Sequence, residues 1–220
     1  MTTNDIDRFI CNNVLVADIL GFSKLTLSQP KQAEDELKNF GEIVMKLVTS
    51  YEKSKISFHP FSDSVVVGFK EIKDALSFSK TLFSDAFYQG IHLRGTIGIG
   101  DFTHIPNLHS KSSFTIGSGL VLATFADKYH VKGHTLLLVC KINAKINFFD
   151  SIIFKIPKLS KEFKAYIVPW WEKGKSEELK NEIDKRTHGL DVEKIIYLET
   201  TKEHMNYFIH RDRTGDIDVW

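Results

Sequence analysis

Two aspartates stand where chemistry is plausible. Asp18 closes the apolar run Val14-Leu15-Val16-Ala17 and is followed by Ile19-Leu20 and a Gly21-Phe22 turn. Asp63 opens a second run, Ser64-Val65-Val66-Val67-Gly68-Phe69. Apolar runs bounded by turn residues read as buried strands. A carboxylate at the end of such a strand is costly to bury unless something positive meets it. An acid beside a strand is commonly a turn or cap residue. Two such acids, one leaving and one entering a sheet, can instead converge on one point. Carboxylate oxygens are what hard divalent cations prefer. A cation pair at that point suits in-line attack at phosphorus. The turn Leu20-Gly21-Phe22-Ser23 then offers backbone N–H groups to phosphate oxygens. No Walker lysine motif accompanies these residues, so the chain is not of the P-loop kind.

The rest of the chain must position that pair. Phe9 to Ile19 is a strand, and Pro30 precedes a helical pattern from Lys31 to about Lys53. Ile56–Phe61 and Ser64–Phe69 form a hairpin with Asp63 in its turn. Ile72 to Phe87 is a second amphipathic helix, ended by Gly90. Ile91 to Gly100 is a strand spaced by glycines, which often mark close approach of another group. His104 to Ser113 reads as a polar loop, Gly117-Ser118-Gly119 opens a helix over Leu120–Tyr129, and Thr135–Cys140 is a strand. Ser151–Ile156 and Phe163–Trp170 look like strands, and Ser176–Thr187 and Asp191 to about Phe208 like helices. The tail from Arg211 shows no pattern. This order predicts an α+β fold, a mostly antiparallel sheet with helices packed on one face. A right-handed crossover sets the first two strands side by side and brings Asp18 to the Asp63 turn. With no linker or repeat, residues 1–220 read as one domain, with a core over about 9–140 and C-terminal strands and helices over 151–210.

Composition excludes several classes. Lys plus Arg number 29 against 28 Asp plus Glu, a formal net charge of +1, so bulk charge announces neither a nucleic-acid nor a membrane binder. No apolar run reaches membrane-spanning length, and the amino terminus lacks the signature of a signal peptide. Cys11 and Cys140, the only two cysteines, sit among strand residues and suit a reducing, cytoplasmic setting. Arg94 is the one charge in its glycine-spaced strand. It is either a phosphate partner or half of a structural ion pair with Asp101 or Glu199. Lys24, Lys128 and Lys132 are weaker candidates. Tyr51 reads as core in preference to a base-stacking residue. Trp170-Trp171 reads as core in preference to a dimer face. His109, His130, His134 and His210 show no metal spacing and receive no role.

Four segments together carry a family resemblance: Ala17-Asp18-Ile19-Leu20-Gly21-Phe22, Ser62-Asp63-Ser64-Val65-Val66-Val67-Gly68-Phe69, Leu93-Arg94-Gly95-Thr96-Ile97-Gly98-Ile99-Gly100, and Ile116-Gly117-Ser118-Gly119-Leu120. Over about Val14–Val139 the chain resembles class III nucleotidyl cyclases, whose sheet is ferredoxin-like. The resemblance implies that Asp18, Asp63 and the Ile19 carbonyl hold two divalent cations, Mg²⁺ or Mn²⁺. It implies a head-to-tail homodimer with the nucleotide at the interface. It also implies a lyase that turns a nucleoside triphosphate into a 3′,5′-cyclic monophosphate and pyrophosphate. Gly21, Phe22 and Ser23 fall at the phosphates, and Phe58 and His59 near the base.

The departures from that family narrow the substrate. His59 stands where purine cyclases carry a lysine or glutamate, four residues before the second metal aspartate. Phe114 stands where adenylyl enzymes carry an acid. Val121 and Phe125 stand where purine enzymes carry an asparagine and the transition-state arginine. Arg94 is then the first candidate to replace that arginine. The wording Ala-Asp-Ile-Leu-Gly-Phe-Ser, the Leu-Arg-Gly-Thr-Ile strand, the helix start and the late segment Lys194–Asn206, with His204 and Asn206, are similar to the pyrimidine cyclases of Pycsar antiphage systems. That likeness implies cyclic UMP, or else cyclic CMP, made as a second messenger for a separate effector. Two other readings stay open: an inactive nucleotide-binding domain, and a purine cyclase with an altered base pocket.

Overall fold

The computed structural model describes residues 8–106, 113–124, 133–143, 154–155, 162–172, 175–186 and 192–214. The chain runs β1 (Phe9–Ile19), α1 (Phe22–Ser28), α2 (Pro30–Thr49), β2 (Ile56–Phe61), β3 (Ser64–Phe69), α3 (Ile72–Tyr88), β4 (Leu93–Pro106), β5 (Ser113–Ile116), α4 (Ser118–Ala123), β6 (Thr135–Lys141), β7 (Phe154–Lys155), β8 (Phe163–Val168), α5 (Ser176–Arg186) and α6 (Val192–Thr214). Eight strands form one sheet in the order β2-β3-β1-β4-β6-β8-β7, with β5 pairing β4. All pairs are antiparallel except β4 with β6. The α+β expectation holds.

Several details differ from the sequence reading. β2 does not lie beside β1. The hairpin folds back so that β3 takes that place and β2 goes outside it. The Asp63 turn still lies at the end of β1, because the β1–β3 register ends at Asp18 opposite Ser64. The described ends of the polar stretch expected as a loop are paired strands: Thr103 to Pro106 pair with Ile116 back to Ser113. Helices also cover both faces of the sheet rather than one, because β1 alternates. Leu15, Ala17 and Ile19 face the main core, with Phe40 of α2, Phe78 and Phe83 of α3, Ile183 of α5 and Leu198 of α6. Val14 and its neighbour Cys11 face a second cluster with Val66, Phe102 and Ala123 of α4. A strand covered on both faces reads as a continuous apolar run, which is what the β1 sequence shows.

Large rings fill the main core. Phe40, Phe69, Phe78, Phe83 and Phe87 are fully buried, each contributing about 1.5–3 kcal/mol relative to exposure. Tyr51 meets Phe78 edge-on at 5.8 Å and Phe69 at 6.4 Å, so it is a core residue. Trp170 is buried and meets His134 edge-on at 4.6 Å. On the other face, β4 glycines permit contact with α4. A Cβ on Gly98 would strike the Gly119 carbonyl oxygen and the Ala123 nitrogen, and one on Gly119 would strike the Gly100 carbonyl oxygen. Helix α6 continues to Thr214, past the expected end near Phe208. Phe125, Lys128, Lys132, His109 and His130 lie outside the described residues, as does the His210 side chain.

Candidate active site

The site is built where three strand ends meet. Asp18 is the penultimate residue of β1. Its cross-strand neighbours are Ser64 on β3 and Arg94 on β4. The ladder extends one step further: Ile19 N–H donates to the Asp63 carbonyl at 3.1 Å. This bond ties the hairpin tip to the end of β1 and places the two aspartates at adjacent ladder positions. The tip is a two-residue turn, with Ser62 at φ 51 in the left-handed region, the sense such turns need to match strand twist.

Arg94 grips Asp18 with two prongs. Its Nη2 donates to Asp18 Oδ2 at 2.9 Å and its Nε to Oδ1 at 3.3 Å. The side chains are 17% and 26% exposed, so solvent screens the pair only in part. The expectation that Arg94 would pair with Asp101 or Glu199 is therefore corrected. Cross-strand register puts the guanidinium directly beside Asp18. A cleft of about 240 Å³ opens here, lined by Asp18, Ser64, Arg94, Thr96 and, from α4, Ala123 and Thr124. It is smaller than most small-molecule pockets.

Carboxylate and hydroxyl oxygens are the donors a hard cation takes. Asp18 lines the cleft with both carboxylate oxygens on Arg94, which a cation would have to share or displace, and Asp63 stands one ladder step away, beside Ile19. Thr96 Oγ1 is buried in the same cleft with no hydrogen-bond partner. Among the described residues no group of three or more His, Cys, Asp or Glu side chains forms a complete cage. Mg²⁺ needs none, since it keeps waters and is completed by substrate phosphates.

The remaining sequence candidates divide by face. Gly21, at φ 75, caps α1, and its carbonyl accepts from Leu25 N–H. Ser23 is exposed, and Phe22 packs against the main core. Phe58 also packs against the main core, on the face away from the Val16, Asp18 and Thr96 side chains. That placement corrects the expectation that it faces the base. His59 alternates to the other side of β2 and is 9% exposed. Its Nε2 lies 2.8 Å from Ser57 Oγ, and its ring is 4.1 Å from that of His104. Burial, with His104 beside it, pushes the His59 pKa down to about 4, so the ring is neutral. His104 was not singled out in the sequence. Only the fold of β4 brings it onto His59, and no local signal marks it. Phe114 and Val121 are exposed, at 63% and 68%. No described helix is long and apolar enough to cross a membrane.

No protein-family model matches the sequence, and no curated protein is similar to it in sequence. Solved structures do match in shape. A bacterial light-regulated adenylyl cyclase superimposes with a TM-score of 0.56 at 14% identity, over 75% of this chain and 93% of that one. Another structure of a bacterial light-regulated adenylyl cyclase gives 0.54 at 11% identity over 91% of this chain, which spans 59% of that longer one. The guanylyl cyclase Cya2 gives 0.50 at 12% identity, over 74% of this chain and 92% of that one. At such identities likeness speaks for architecture and leaves substrate open. The chain has the class III nucleotidyl cyclase fold.

Proposed function

We propose that the protein is a nucleotidyl cyclase that acts on a pyrimidine nucleoside triphosphate, UTP before CTP, as a head-to-tail homodimer. The observation that carries this reading is the Asp18–Arg94 pair in a cleft at one end of a cyclase-fold sheet, with the Asp63 turn bonded to the next residue of β1. Asp18, Asp63 and the Ile19 carbonyl would hold two divalent cations, Mg²⁺ or Mn²⁺. When bound, such ions lower the pKa of a hydroxyl and offset charge on a leaving pyrophosphate.

The chain's own residues then have defined tasks. Asp18 and Asp63 would hold the cations at the strand ends, where the α-phosphate lies. Arg94 presents a planar, permanently charged fork to phosphate oxygens. Gly21, Phe22 and Ser23 turn backbone N–H groups toward the outer phosphates. The ribose 3′-oxygen forms a bond to the α-phosphorus, the bond from that phosphorus to the β-phosphate bridging oxygen breaks, and the hydroxyl proton leaves to solvent. The small cleft on one chain supports a site completed by a second copy. His59 and Phe114, in place of purine-reading residues, support a pyrimidine base. By the same resemblance the protein works in the cytoplasm, and its product is an antiphage signal for a separate effector.

Incubation with each of the four nucleoside triphosphates and Mn²⁺, with products identified by mass spectrometry, tests this. Cyclic UMP or cyclic CMP is expected. A cyclic purine nucleotide would favour the second reading, a purine cyclase with an altered pocket, which the adenylyl and guanylyl neighbours support. Binding without any product would mark an inactive nucleotide-binding domain.

A further inference from the structure

His134 lies outside the cleft, one residue before β6. Its ring is fully enclosed. Nδ1 accepts from the backbone N–H of Leu93 at 2.8 Å, and Nε2 lies 2.9 Å from the Phe83 carbonyl of α3. One nitrogen accepting and the other donating requires the neutral ring protonated on Nε2. Burial, with His92 beside it, keeps its pKa well below the usual histidine range. Its main chain is equally occupied. The N–H donates to Thr201 Oγ1 of α6 at 2.9 Å, and the carbonyl accepts from Trp170 Nε1 at 3.1 Å.

The bond to Leu93 has consequences for the cleft. Leu93 is the first residue of β4, and Arg94 is the next. The β4–β6 ladder starts at Arg94 opposite Thr135. One step earlier the imidazole of His134 takes over the ladder's task and fixes the start of β4. Helix α6 backs this segment at three consecutive residues. Gly133, at φ 91, lies against Thr200, His134 is held by Thr201, and Thr135 Oγ1 is 3.3 Å from His204 Nδ1.

We propose that His134 is a positioning residue: its ring fixes the first residue of β4 so that Arg94 stays on Asp18, and helix α6 holds that ring in place. The proposal rests on Asp18 and Arg94 being the working groups of the site. It connects helix α6 to the cleft through two hydrogen bonds, Thr201 to His134 and His134 to Leu93, and the peptide step from Leu93 to Arg94.

Two amide variants separate positioning from packing. In His134→Asn the side-chain oxygen reaches the place of Nδ1 and can still accept from Leu93. In His134→Gln the amide reaches the place of Nε2 and can still donate to Phe83, but Leu93 loses its acceptor. The readouts are amide exchange at Leu93 and the Arg94 Nε–H signal in nitrogen-15 spectra, neither of which needs turnover. The Gln variant is expected to exchange Leu93 about 100-fold faster, to shift the Arg94 signal, and to raise KM for the triphosphate about tenfold. The Asn variant is expected to restore most of all three. Equal losses in both variants, or an unchanged Arg94 signal in the Gln variant, would overturn the proposal.

If His134→Gln does not fold, Thr201→Val removes the acceptor for the His134 N–H and leaves the ring intact, while Thr201→Ser keeps the hydroxyl. A shifted Arg94 signal in Val but not in Ser supports the proposal, and no shift in Val sinks it. A protein that forms no cyclic nucleotide yet shows these shifts keeps the positioning role and loses the cyclase reading.

Discussion

Asp18 and Arg94 depend on each other. Removing either leaves a partly buried charge whose partner has gone, and such a change is more destabilising than loss of an exposed pair. Asp18→Ala and Asp63→Ala should each lower turnover at least ~100-fold while leaving the circular dichroism spectrum in place. Product above background from either variant would contradict their role. Arg94→Lys keeps the charge and loses the fork. Its turnover should fall about tenfold or more, with little change in thermal midpoint. His59 adds a pH dependence to stability. Its folded pKa of about 4 lies below the unfolded 6.5, so the unfolded chain binds more protons between those values. Its stabilisation is therefore present above pH 6.5 and is lost as pH falls toward 4. His204, lowered by burial to about 4, acts in the same sense. Denaturant midpoints at pH 7.5 and 5 should differ, and His59→Asn should reduce the difference.

Helix α4 and strand β4 meet closely where Gly98 and Gly119 face each other. Gly98 and Gly119 allow backbone to lie on backbone, and α4 brings Ala123 and Thr124 to the cleft wall. Gly98→Ala or Gly119→Ala must push the helix outward. Overpacking of this kind costs about 1–3 kcal/mol, visible as a lower denaturant midpoint at unchanged slope. Activity should fall with it, because the cleft wall moves too. A midpoint equal to that of the parent protein would show that α4 yields freely. The glycine spacing was legible in the sequence as a mark of close approach, but its partner was not. Two segments about twenty residues apart must fold before either glycine has a neighbour.

For the whole molecule, the small cleft and the exposed Phe114, Ile116 and Val121 accord with a site completed by a second copy. Specific activity should then rise with protein concentration. Val121→Glu should shift sedimentation toward monomer and lower specific activity at a fixed concentration. Activity independent of dilution, with a monomer throughout, would overturn the dimeric site.

The sequence by itself determined most of the strands and the two acids beside them, while β5 and the extension of β4 to Pro106 read as loop. Alternation and apolar runs are local properties, and an acid at the end of an apolar strand is visible as a break in the pattern. It could not determine which strand lies beside which. Register is a non-local choice, made by packing on both faces of β1, and it placed β3 and β4, not β2, against Asp18. The Arg94 fork on Asp18, His104 over His59, and His134 on Leu93 all follow from that choice. In each case the partner lies 40 or more residues away in the chain. Only the folded sheet brings such residues within hydrogen-bond or ring-contact range, so no periodicity in the sequence records them.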